Sequence, residues 1–241
     1  MVRLSIKLRR RMVAGILITA LIAALVTARN ADSMDLTMPS ILVATRDLQD
    51  PLFEHAVILM VPSTEPPLLA GLIINTPAKQ QVRDLFPQAR QLKGPDGTVY
   101  MGGPVENGFL DHRIPLLDGI SVIFRASSAQ SSATRVFDDV YVAAGRDAVA
   151  GVLKDPRITD LRVISGKAQW LRDQLSSEVM SGAWYMIPAK ADLIFGDPKD
   201  LWSTLVKGGD LEEAEAGKPS ELNLPYRLLD GTNWQRRISP N

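Results

Sequence analysis

The sequence predicts an α+β domain, and three observations lead there. Apolar runs of four to eight residues, bounded by Pro, Gly and Asp turns, recur from Ile41 to Phe195. The few helical segments do not alternate regularly with them, as a doubly wound parallel sheet would require. No repeat with a period of 20–50 residues is visible. One compact domain is expected over residues 40–206, since no linker-like shift of composition divides that stretch.

Residues 1–11 are basic, and residues 12–28 carry no charge. An apolar stretch of 17 residues lies between a signal-peptide core and a spanning helix. Val26-Thr27-Ala28 offers a cleavage site, whereas the Ile/Leu density from Ile16 to Leu25 suits a retained anchor. Either reading leaves the basic end in the cytoplasm and the domain on the far side. Translation from Met34 would instead leave the domain cytoplasmic.

Runs 41–44, 56–61 and 68–75 read as buried strands, the second ended by Pro62 and the third by Thr76-Pro77. Gly71 marks a bulge or a close backbone approach. Residues 81–86 suit a short helix, and Lys93-Gly94-Pro95-Asp96-Gly97 a tight turn. Strands are expected at 98–101, 120–125, 136–144 and 161–164, with 108–112 pairing nearby and a polar loop at 127–132. A helix over 146–153 stops near Asp155-Pro156. A Gly turn at Ser165-Gly166 then leads into an amphipathic helix that carries Trp170, Gln174 and Glu178 on one face. Residues 184–187 and 192–195 read as strands, and Asp197-Pro198 as the start of a helix packed through Leu201, Trp202 and Leu205. Residues 207–241 read as a linker-like extension with one docking segment near 222–229.

Composition excludes several chemistries. The chain has no cysteine, so disulfides, thiolate metal sites and a cysteine nucleophile are absent. Only His55 and His112 are available to a metal, and a pair of them would be a coincidence; neither a metal nor a cofactor is expected. Setting aside the five basic residues before position 28 leaves 22 basic against 27 acidic residues, a net charge of about −5. That balance lacks the footprint of a phosphate-backbone binder.

Five ordered segments carry a family resemblance. They are Ile41-Leu42-Val43-Ala44 with Asp50-Pro51-Leu52-Phe53; Gly71-Leu72-Ile73-Ile74-Asn75-Thr76-Pro77; Val99-Tyr100-Met101-Gly102-Gly103-Pro104-Val105; Gly166, Trp170, Gln174-Leu175 and Glu178; and Trp184 with Asp192-Leu193-Ile194-Phe195. Together they resemble the AlgH family, also called YqgE, over roughly residues 40–206. The resemblance implies a compact α+β fold with a barrel-like sheet and a few flanking helices. It implies no defined activity; a transcription-regulator label on some members is an association. Val61-Pro62-Ser63 stands where the family usually has a histidine, and the apolar N-terminus and the tail are additions. These differences point to an exported or membrane-tethered relative.

Candidate site residues each carry two readings. His112, which matches a family position, is either a backbone-bonded strand-end residue or the base of a hydrolase completed by a carboxylate and a hydroxyl. Gly102, Gly103 and Pro104 are either a strand-end turn or an anion nest. Trp170, Gln174 and Glu178 are a packed helix face or the wall of a partner surface. Asn75 is a turn residue or a site residue. Ser165-Gly166 lacks the flanking glycines of a nucleophile elbow. The expected role is therefore non-catalytic: a binding or regulatory protein working through protein contacts at the cell envelope. The hydrolase and the small-anion binder are the alternatives.

Overall fold

The computed structural model describes residues 39–207, apart from 90–91, 93, 111–116 and 129–131. The apolar segment 1–28 and the C-terminal extension 208–241 lie outside the described residues, as does His112. Among the described residues, no helix is long and apolar enough to cross a membrane.

Among the described residues, eleven strands form two sheets. The first is antiparallel, in the order β10 (Ala168–Leu171), β3 (Leu68–Ile73), β2 (Val57–Val61), β1 (Ser40–Ala44), β11 (Trp184–Pro188). The second runs β4 (Pro77–Gln81), β5 (Thr98–Met101), β9 (Leu161–Ser165), β6 (Ile120–Arg125), β8 (Val140–Ala144), β7 (Thr134–Phe137). Only its β5–β9 pair is parallel. Among the described residues, five α-helices complete the α+β fold: α1 (Val82–Leu85), α2 (Arg146–Lys154), α3 (Arg172–Met180), α4 (Ala191–Phe195) and α5 (Leu201–Lys207).

Alternation along the strands explains the layering. In β6 and β9 of the second sheet, Ile120, Val122, Phe124, Leu161 and Val163 face Val149, Val152 and Leu153 of α2. Ile123 and Ile164 point the other way and meet Ile41, Val43, Val57 and Leu59 of the first sheet. The second sheet is thus buried on both faces, which is why its strands read as continuous apolar runs. Residues of α4 and α5, including Ile194 and Val206, add to the core between the sheets.

Neither sheet closes by hydrogen bonding among the described residues, so the barrel-like expectation holds only as curvature. The outer strands of a flat five-stranded sheet would lie about 19 Å apart. Yet Trp170 on β10 and Trp184 on β11 have ring centroids 6.2 Å apart. The first sheet therefore curls until its edges approach, and α3 packs against both edge strands across the remaining gap.

Several expected elements change. The stretch read as a helix with Trp170 on its face begins as a strand, because Ala168–Leu171 pairs with β3 and the helix starts only at Arg172. Residues 192–195, expected as a strand, are the helix α4, and α5 starts at Leu201 rather than beside Asp197-Pro198. The single strand expected over 136–144 is a hairpin, β7–β8, turned at Asp138 with φ 38°. Strand β4 follows Thr76 where only a stop was expected. Residues 108–110 form a turn.

Gly71 shows how tightly the curl is packed. A Cβ there would lie 2.6 Å from Ile58 Cγ2 and 3.2 Å from Trp170 Cζ3, both on buried side chains. Gly71→Ala is expected to cost about 1–3 kcal/mol, read as a lower urea midpoint, whereas Gly151→Ala, inside α2 with nothing within 4 Å, should leave the midpoint unchanged or raise it by up to about 1 kcal/mol.

Candidate functional site

The densest meeting of candidate residues lies where the first sheet's edges approach. Gly166, at φ 77°, turns the chain out of β9. Lys167 then bridges to Val105, and β10 lays the Trp170 ring over Gly71. Helix α3 follows at once and ends in a Schellman turn. Gly182, at φ 79°, donates its N–H to Val179 O, and Ala183 donates to Glu178 O. The short turn sends the chain straight into β11, so Trp184 stands six residues after Glu178.

Glu178 joins the two edges. Its Oε2 accepts a hydrogen bond from Trp170 Nε1 at 3.1 Å and another from Trp184 Nε1 at 2.9 Å. Its Oε1 accepts from Gln174 Nε2 at 2.9 Å. Both indoles are buried, at 3% and 2% exposure, so their N–H groups depend on this half-buried carboxylate. Phe53 completes the unit, 6.0 Å from the Trp170 ring and 5.8 Å from that of Trp184, edge-on to the latter. Rings this close are in mutual contact. They form a packed aromatic joint.

Trp170, Gln174 and Glu178 are thus brought together, as the sequence suggested, but across a strand-to-helix junction instead of along one helix face. Gln174 is exposed; the two tryptophans are not.

The remaining candidates lie elsewhere. Asn75 ends β3 by accepting from Val57 N–H and donating to His55 O, both at 2.9 Å. Gly102 and Gly103 are buried where the chain crosses residues 166–168, and Gly102 N–H is donated to Ser165 O at 2.8 Å. A Cβ on Gly103 would stand 2.3 Å from Lys167 C, and one on Gly102 2.4 Å from Gly166 O. Close backbone approach therefore accounts for both glycines. Pro104 is half-buried beside them. The fully buried Asn107 stitches the crossing, donating to Gly103 O at 2.8 Å and Ser165 O at 3.2 Å.

Two polar features escaped the sequence reading. Arg162 is fully buried between the sheets, donating to Ile74 O at 2.8 Å and Gly196 O at 2.7 Å over the Tyr100 ring. Burial lowers the pKa of its guanidinium. A lone charge inside Leu161-Arg162-Val163-Ile164 was the available signal. Lys167 Nζ lies 2.6 Å from Glu65 Oε1 and 3.3 Å from Glu106 Oε2. Burial opposes its charge, but the two carboxylates outweigh burial and raise its pKa. The hydrogen bond from Lys167, then one from Gln169, lowers that of Glu65. Among the described residues, no group of three or more His, Asp and Glu is placed to hold a metal ion.

The family model described as AlgH-like (DUF179) matches residues 41–212. The chain belongs to this AlgH-like family. A UPF0301 protein of Streptomyces coelicolor is 32% identical over 71% of this chain and 86% of its own length. The UPF0301 protein YqgE of Escherichia fergusonii is 29% identical over 69% and 88%. Among solved structures, a Corynebacterium diphtheriae protein, DIP2367, aligns with TM-score 0.58 and 20% identity over 71% of this chain and 86% of that one. The solution structure of AlgH from Pseudomonas aeruginosa aligns with TM-score 0.52 and 21% identity over 76% and 95%. At such identities the structures speak for the fold alone. The function of the AlgH-like family is uncharacterised, and these relatives' names assign no activity.

Removing the Glu178 carboxylate leaves two buried indole donors without an acceptor. Glu178→Ala is expected to destabilise the domain by roughly 2–5 kcal/mol. Glu178→Gln keeps a carbonyl oxygen and should cost about 1 kcal/mol. Urea unfolding followed by circular dichroism checks both; equal losses would deny the carboxylate its bridging role.

Proposed function

We propose that this AlgH-like protein is a non-catalytic binding or regulatory module, acting through protein contacts at the cell envelope. The observation that carries the reading is the convergence at Glu178. Four chain segments, bearing Phe53, Trp170, Gln174 with Glu178, and Trp184, meet in one place. Their polar atoms bond to one another, which suits a rigid recognition platform better than a reacting centre. Gln174 is the exposed member and presents the platform to a partner.

The envelope part of the reading rests on the basic residues 1–11 followed by the uncharged stretch 12–28, which together export or tether the domain. Intact mass of the native protein in membrane, soluble envelope and cytoplasmic fractions tests location. A full-length form in membrane or a form starting near Arg29 in the envelope supports it; a cytoplasmic form starting at Met34 overturns it.

Recognition is tested with a photo-crosslinking residue at Gln174 and, as a control, at Lys154 on α2. Adducts with one protein partner at Gln174, absent at Lys154 and competed by added unlabelled protein, are the expected result. Adducts of equal yield at both positions, or none at either, contradict the binding role.

A further inference from the structure

We infer that the docking of α5 is coupled to the joint at Glu178, so that loosening one loosens the other. One route between them is the end of β1. Ala44 O accepts the indole N–H of Trp202 on α5 at 2.7 Å. The same residue stands opposite Trp184 in the ladder with β11. Its neighbour Thr45 holds the turn that follows α3, donating its N–H to Ala183 O at 3.1 Å and its hydroxyl to Gly182 O at 2.8 Å. Trp202 and the Glu178–Trp184 spacing are therefore fixed by two consecutive residues.

Another route is the turn over residues 50–55. Phe53 packs on the rings of Trp170 and Trp184. Two residues later the His55 ring meets that of Trp202, with centroids 3.9 Å apart. Internal bonds brace the turn: Phe53 and Glu54 both donate to Asp50 O, at 3.0 and 2.7 Å, and Leu52 donates to Asp50 Oδ1 at 2.8 Å. Asn75 donates to His55 O at 2.9 Å, and Ala44 N–H donates to Ala56 O at 2.9 Å, which ties the turn back to β1. A turn held in this way moves as one piece, so displacing Phe53 from the joint also displaces His55 from Trp202.

Coupling between sites needs an element with two states, and α5 is suited to be one. It has seven residues, of which Val206 is the buried one. Segments with so few buried apolar contacts open without unfolding the rest of a domain. When α5 lifts, Ala44 O loses the Trp202 donor and the turn over residues 50–55 loses the ring against which His55 rests. Linkage makes the effect reciprocal: whatever tightens the joint tightens α5 by the same factor. That a partner at Gln174 exploits this rests on the proposed function; the coupling itself does not.

The absence of cysteine supplies the test. Val206→Cys puts a single thiol at a position only 1% exposed, and its labelling by a pyridyl disulfide, relative to the urea-unfolded chain, reports opening of α5 in the full chain. Glu178→Gln should raise the opening constant about fivefold. Val152→Ala, which truncates the core beneath α2 and touches neither end of the coupling, should leave it unchanged. Leu205→Cys serves as a second reporter if Val206→Cys unfolds the domain. The reverse direction needs no thiol: Trp202→Phe should speed exchange of the Trp184 indole N–H about fivefold. An opening constant unmoved by Glu178→Gln, an equal rise with Val152→Ala, or Trp184 exchange unmoved by Trp202→Phe would each overturn the coupling. Missing adducts at Gln174 would deny the partner and leave these ratios as they are.

Discussion

Everything described at the open side of the first sheet depends on one carboxylate. A five-stranded sheet with two free edges has no reason of its own to bring those edges together. Burial of Trp170 and Trp184 supplies the attraction, and their indole N–H groups supply the constraint, since a buried donor must find an acceptor. Glu178 answers both at once and sits on the helix that joins the edges in sequence. The Schellman turn at Gly182 then fixes the distance from Glu178 to Trp184. Curvature, helix position and the surface presented at Gln174 follow from that arrangement.

The second sheet is tied to the first by different means. Arg162 crosses the core from the central strand β9 to Ile74 and Gly196 carbonyls, a cation with neutral partners and an aromatic face. Burying such a charge is costly unless its donors are used. Its worth is positional, because it fixes the end of β3 and the turn before α5 to the same guanidinium. On the neighbouring side, the crossing at Gly102, Gly103 and Gly166 brings backbone so close that any Cβ would collide. Asn107 fills the hydrogen-bonding deficit that this closeness creates. The two devices, a buried guanidinium bonded to neutral carbonyls and a steric crossing of backbone, both tie the second sheet to the first.

The fold was legible wherever burial alone decided the structure. Runs 41–44, 56–61, 98–101 and 120–125 are strands because apolar residues on both faces admit nothing else at that length. Sequence reading failed where a local pattern had two solutions. Trp170, Gln174 and Glu178 are spaced four apart, which fits a helix face, yet pairing of Ala168–Leu171 with β3 overrides that period. The Asp192-Leu193-Ile194-Phe195 segment is apolar enough for a strand, but it forms a helix packed on the core between the sheets. At the candidate site Trp170, Gln174 and Glu178 could be named from the sequence but their geometry could not, because Phe53 and Trp184 arrive from distant parts of the chain. Arg162 was visible only as an anomaly, one charge within an apolar run.

A single carboxylate holds the two edge-strand indoles in one unit. Hydrogen exchange of the Trp170 and Trp184 indole N–H groups, followed by NMR on the full chain, tests this most directly. Both should be strongly protected and exchange at a common rate, and Glu178→Gln should accelerate them together. Fast exchange of either indole in the parent chain, or acceleration of one without the other, would contradict it.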